Sequence, residues 1–319
     1  MDIEQVKLKK QEIINRSGEW TSHNLRLQDD LYTYDQKHPE FEERLMSHGV
    51  HAKRIIQAVS DITNQPLETL RVLDLGCLEG LYGIEFAQHG SEVIAIDARE
   101  VNLEKSRFAK EVLGLDNIMF VQDDVRNLSV EKYGRFDVVL CLGIFYHLNV
   151  PDVFQFTESM FDVCKRVAII DTHVGLNANK SHSYKGETYH GWTFIEHSPE
   201  ATPEQKLKSL WASLDNETSF WFTRPSLFNL LARTGFTSVH TCQNPPAPKK
   251  GDDSDTLVAV KGVRQELRTT PTLNSLPDAL WPEKSLVGAH PGQQARTKNQ
   301  RPSITSRARH LAGRILRRH

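Results

Sequence analysis

The sequence predicts an α/β fold: a doubly wound sheet of seven strands, mostly parallel with one antiparallel strand, plus helical and aromatic insertions. Three observations carry that expectation. Residues 71–87, RVLDLGCLEGLYGIEFA, read as strand, glycine-bearing loop and helix. Further apolar strands follow at regular spacing, each closing near an acidic residue, with helical patterns between them. The last two strands are joined by a loop too short for a helical crossover, so they pair antiparallel.

In order, residues 1–16 form a short charged helix, and 18–36, rich in aromatic and polar side chains, form a lid or an edge hairpin. Residues 41–62 make a helix whose Leu45, Val50, Ile55, Ile56 and Val59 share one face. Val72, Leu73 and Leu75 begin the core strand. The helix after its loop stops at Gly90, a left-handed cap. Strands at 92–97, 118–122, 135–142 and 167–171 alternate with helices at 101–113 and 152–164, which implies right-handed crossovers and a sheet buried on both faces. The rhythm breaks over 173–222, an insertion above the carboxyl edge of the sheet, and resumes with a helix at 224–234 and strands at 237–242 and 256–261. Three regions result: a helical and lid segment at 1–69, a ligand-binding domain at 70–262, and a basic tail at 263–319 that is expected to be disordered.

Composition narrows the function. Net charge is −2, so global charge identifies no partner. The four cysteines are widely spaced and match no metal pattern, and the expected metal content is none. The amino terminus lacks an apolar signal region, and no apolar run approaches the ~20 residues of a membrane span, so a cytoplasmic protein is expected. From Glu283 onward, nine lysines and arginines face a single acid, Glu283. This stretch reads as a solvated segment, with docking to a membrane surface or to RNA as the other readings.

Ligands of such sheets bind outside the carboxyl ends of the strands. Asp74 closes the first strand, and a carboxylate there repels a pyrophosphate but suits an ammonium or a sulfonium. The expected cofactor is therefore S-adenosyl-L-methionine rather than a dinucleotide. Gly76 and Gly80 let backbone approach its methionine end, with Cys77 and Glu79 in the same loop. Asp97, about 20 residues on, suits the ribose hydroxyls. Asp124, with Val125, suits the adenine, and Leu142 runs below the sulfonium. Tyr146 and His147 fall nearest the transferred methyl. His147 and His173 are the candidate bases, because imidazole titrates near neutrality. Trp20, His23, Tyr189, His190 and Arg224 are candidates for the acceptor.

VLDLGCLEGLYGIEFA, VIAID, FVQDDV and FDVVLCLGIFYHL together resemble the successive motifs of class I S-adenosylmethionine-dependent methyltransferases, over about residues 70–262. The resemblance implies a Rossmann-like sheet and methyl transfer. LGIFYHL and EWTSHNLRL are also similar to segments of the tRNA wobble-uridine carboxymethyltransferase group, which implies that Tyr146 contacts the sulfonium-borne group. Leu78 stands where the glycine-rich pattern has its middle glycine. The expected activity is methyl transfer, on oxygen, to a small molecule or glycan. Alternatives are a tRNA-modifying methyl- or carboxymethyltransferase and a non-catalytic cofactor-binding subunit. Oligomeric state is left open.

Overall fold

A computed structural model describes residues 1–243, 251–276 and 280–283. The tail beyond Glu283, with its expected disorder and its membrane or RNA contacts, lies outside the described residues. Residues Met1–Pro282 form one compact unit.

The chain opens with α1 (Ile3–Ser17), started by a capping box between Asp2 and Gln5. A two-stranded hairpin follows, β1 (Arg26–Gln28) and β2 (Leu31–Tyr32), then α2 (Phe41–Thr63). The main alternation is β3 (Arg71–Leu75), α3 (Leu81–Gln88), β4 (Glu92–Asp97), α4 (Glu100–Leu113), β5 (Ile118–Gln122), α5 (Val130–Tyr133), β6 (Phe136–Leu142), α6 (Asp152–Val163) and β7 (Cys164–His173). The insertion contains β8 (Lys180–Tyr184), β9 (Glu187–Ile195), α7 (Pro203–Lys208) and β10 (Thr218–Phe222). α8 (Arg224–Thr234), β11 (Ser238–Thr241) and β12 (Ser254–Val260) complete the fold.

Seven strands pair in the order β11-β12-β7-β6-β3-β4-β5. β7, β6, β3, β4 and β5 are parallel, and β12 alone is reversed, antiparallel to both neighbours. Alternation along β3 sends Leu73 and Leu75 into one core and Val72 into the other. Each buried aliphatic side chain contributes about 1.5–3 kcal/mol, so the two cores hold the sheet from both sides. From β3 the chain winds outward through β4 and β5, then returns to place β6 and β7 on the other side. The crevice at that reversal lies at the carboxyl ends of β3, β4 and β6.

The insertion differs from the helical, aromatic segment expected. It is a three-stranded antiparallel sheet ordered β10-β9-β8, with one six-residue helix. Both faces of these strands carry aromatic or polar groups, so no clean period of two shows in the sequence. The hairpin signal is Lys185-Gly186, both at positive φ, the two-residue primed turn that joins β8 to β9.

Candidate functional site

The loop after β3 is shaped by three residues at positive φ: Gly76 (+65°), Leu78 (+50°) and Gly80 (+83°). Leu78 takes the left-handed conformation that the pattern reserves for glycine, at a cost of about 1–2 kcal/mol. Its N–H is held by Asp97 Oδ2 at 2.9 Å. Gly76 cannot carry a side chain, because a Cβ there would lie 2.9 Å from that of Ile144.

Asp97, at the end of β4, also accepts from the Arg99 N–H at 2.8 Å and from Asn102 Nδ2 at 3.1 Å. Burial raises its pKa, and these hydrogen bonds oppose the shift. Asp74 lies within β3 on the face covered by α3. There Oδ2 accepts the Gly83 N–H at 3.0 Å, and burial pushes its pKa up to about 7. Asp124 meets the cavity as half of an ion pair rather than as a free acceptor. Arg126 Nε lies 3.0 and 2.9 Å from its two oxygens, and Arg126 Nη2 reaches on to Asp215 at 2.8 Å.

Tyr146 and His147 stand in the short turn after β6. Glu196, on the loop after β9, is 1% exposed and faces His147 Nδ1 at 2.9 Å. The same carboxylate accepts from Ser219 Oγ at 2.7 Å and from the Ser213 N–H at 2.9 Å. Burial acts to raise the pKa of Glu196, but His147, Ser219 and Ser213 prevail and lower it. The bond holds His147 with its Nδ1 edge toward Glu196, which leaves Nε2 for a substrate proton. Burial and the nearby charges of Asp171 and Glu196 raise the pKa of Tyr146, so it remains a phenol.

One cavity brings together Asp74, Gly76, Cys77, Asp97, Asp124, Val125, Leu142, Tyr146, His147 and His23. The other expected site residues do not line it. Glu79 is fully buried and turned to the N-terminal segment, where it accepts from the Thr21, Ser22 and His23 N–H groups. Gly80 is a packing position, since a Cβ would lie 3.0 Å from the Phe120 ring. Trp20 packs on Phe108, with Lys105 over its ring. His173 stacks on Trp221 at 4.8 Å and touches the ring of Tyr146 at 4.6 Å from outside the cavity. Tyr189 is core beside Phe154 and Phe222. His190 bonds Ser181, and Arg224 pairs with Asp255.

Sequence reasoning missed His48 and His51 of α2 and Tyr82 of α3, which line the cavity together with the segment 210–216 of the insertion. His48 and His51 are three residues apart, a spacing that puts both on one helix face. His51 places Nδ1 2.8 Å from the Tyr82 hydroxyl and Nε2 3.1 Å from Asp171. Arg99 secures the segment through the carbonyls of Ala212 and Ser213, and the chain just before it through those of Leu207 and Ser209, at 3.0–3.2 Å. Its only sequence signal is its place two residues after Asp97.

A cavity with an acid at each of three strand ends and a glycine cradle between them is a nucleoside-binding arrangement. Residues 72–166 match the family model described as a methyltransferase domain. The same region is similar to the ubiquinone biosynthesis O-methyltransferase of Acinetobacter baylyi, 35% identical over 104 residues, covering 33% of this chain and 41% of that protein. The enzyme of that name from Rickettsia akari is 33% identical over 126 residues, covering 39% and 48%. The chain thus spans less than half the length of these two curated relatives. In structure, the N-terminal domain of EvdMO1, crystallised in the presence of SAH and D-fucose, superposes with a TM-score of 0.61 at 21% identity, over 82% of this chain and 98% of that one. The sheet is thus a Rossmann-like methyltransferase fold. Among the described residues, no helix of this fold is long and apolar enough to cross a membrane, and no cluster of three or more histidine, cysteine or acidic side chains is placed to hold a metal.

Proposed function

We propose that the chain is an S-adenosyl-L-methionine-dependent methyltransferase that acts on a hydroxyl oxygen of a small molecule or glycan. The observation that carries this reading is a single cavity lined by both Asp97 and His147, the latter held by the buried Glu196 carboxylate. The residues fit the cofactor. Gly143 leaves backbone open to it, with nothing nearer than 3.9 Å to where a Cβ would stand, and Asn102 Oδ1 is buried without a partner beside Asp97. Asp97 already accepts three donors and retains acceptor capacity on Oδ2 for a ribose hydroxyl. When bound, the cofactor supplies a methyl group on a positively charged sulfur.

His147 Nε2 is the group that would take the proton of the acceptor hydroxyl, whose oxygen would receive the methyl group that the bound cofactor supplies. Glu196 holds the imidazole so that this nitrogen faces the acceptor. The walls align the reactants, worth on the order of 7–11 kcal/mol of barrier at near-attack distance. A positioned base adds roughly 3–5 kcal/mol, equivalent to 10²–10⁴-fold. The acceptor side offers histidines, Tyr146, Trp211 and Asp171 but no uncommitted cation among the described lining residues, since Arg99 and Arg126 are held by carbonyls and carboxylates. That favours a neutral, hydroxyl-bearing acceptor.

The test is to incubate the protein with methyl-labelled cofactor and a panel of neutral sugars and phenols, following S-adenosylhomocysteine release. His147→Ala is expected to lose about 10²–10⁴-fold in turnover with cofactor affinity retained; undiminished turnover removes His147 from the base role. The tRNA reading receives less support, because Trp20 is a core residue and, among the described residues, no lining cation is free for a carboxylated cofactor. Salt-sensitive binding of tRNA would revive it.

A further inference from the structure

The N-terminal segment is fastened to the loop after β3 by a wholly buried ion pair. Lys105 Nζ lies 3.3 Å from Glu79, and Glu79 in turn accepts the Thr21, Ser22 and His23 N–H groups at 2.6, 3.0 and 2.9 Å. This clamp sets His23 over the first turn of α3. There His23 Nδ1 accepts the Leu81 N–H at 3.2 Å, while the Gly83 N–H goes to Asp74 at 3.0 Å. Two of the N–H groups that would otherwise offer the positive end of α3 to an anion are therefore engaged by protein.

An imidazole that accepts at Nδ1 carries its proton on Nε2. Its ring thus relays the Leu81 N–H outward as a donor, and such chains polarise one another favourably. No bond to Nε2 of His23 occurs among the described residues. Burial, with Arg44 and His51 nearby, lowers the pKa of His23 to about 3, so the ring is neutral at working pH. His48 stands edge-on to it, 5.4 Å between ring centres, with Nδ1 buried and unpartnered. Both rings line the cavity beside Ser22, Asp74 and Gly76.

We propose that His23, seconded by His48, receives the carboxylate of the cofactor's amino-acid end through imidazole N–H groups, in place of a lysine or arginine. The inference rests on the cofactor reading above. A desolvated carboxylate needs donors, and the neighbouring Asp74 directs the ammonium, not the carboxylate, toward itself.

Calorimetry with S-adenosylhomocysteine and its decarboxylated analogue tests this on the full chain. The unmodified protein is expected to prefer S-adenosylhomocysteine by about 10–100-fold, the scale of hydrogen bonds to a charged group. His23→Ala and His48→Ala should each shrink that preference, leaving affinity for the analogue nearly unchanged. His23→Ala also frees the Leu81 N–H, so its fold is checked by melting; His48→Ala removes no backbone partner and serves as the independent variant. Full preference in both variants, or equal affinity of the two ligands for the unmodified protein, overturns the proposal. Failure of both ligands to bind the unmodified protein overturns the cofactor reading itself.

Discussion

Leu78 and Asp97 are one unit at the scale of single residues. The side chain of Asp97 holds the N–H of a residue whose backbone is strained, so the acid has a structural duty as well as a ligand-facing one. Asp97→Ala should weaken S-adenosylhomocysteine binding by about 1–3 kcal/mol, the scale of hydrogen bonds lost from a buried partner. Unchanged affinity by calorimetry would mean that the ribose is not held there. Leu78→Gly separates the two duties. It relieves about 1–2 kcal/mol of strain but adds about 0.5–1 kcal/mol of unfolded-chain entropy, and the half-buried side chain is lost. The opposing effects nearly cancel, so melting temperature and ligand affinity should both change little. Leu78→Val, β-branched at positive φ, should destabilise measurably. A stable Leu78→Val protein would show that the loop does not need this conformation.

Among the elements, the segment 210–216 is the one whose behaviour depends on remote contacts. It has no regular structure of its own, yet Arg99 grips its carbonyls, Arg126 holds Asp215, and Glu196 accepts the Ser213 N–H. Arg99 and Arg126 each follow a ligand-facing acid by two residues, so the cover over the cavity is fastened from the nucleoside end. Arg99→Ala removes charge-assisted hydrogen bonds to four carbonyls and should speed dissociation of S-adenosylhomocysteine by at least about tenfold in stopped-flow measurements, the scale of one such bond. An unchanged rate would mean that the segment does not limit release. The same contrast explains what could be read beforehand. The strands of the parallel sheet announce themselves as short apolar runs, and the acids at their ends, Asp74, Asp97 and Asp124, fall at the cavity because strand ends must. Glu196, His48 and His51 come from an insertion and an N-terminal helix whose placement depends on tertiary packing. Glu79 and Trp20 turn away from the cavity for the same reason: their partners, Lys105 and Phe108, lie on α4, and nothing local in the sequence pairs them.

For the whole molecule, the buried titratable groups around the cavity set how stability responds to acid. Burial lowers the pKa of His23 from 6.5 to about 3, and that of His48 likewise to about 3. Below pH 6.5 the unfolded chain protonates these rings while the folded one does not, so their contribution is full above the unfolded value and falls away as pH drops toward 3. Asp74 acts in the opposite sense. Its folded pKa of about 7, against 3.8 unfolded, adds stability that is full below 3.8 and is lost as pH rises through 7. Asp97, also raised, has the same sign as Asp74. The unmodified protein therefore sums opposing slopes, and a single-residue difference isolates one of them. His23→Gln removes one proton's worth of acid sensitivity. Between pH 6.5 and 4.5 its unfolding free energy should fall less steeply than that of the unmodified protein, by about 1.4 kcal/mol per pH unit. Urea unfolding at several pH values measures this directly. Parallel curves for the two proteins would show that His23 is solvated or already charged in the folded state, and would remove the neutral donor on which the carboxylate subsite depends.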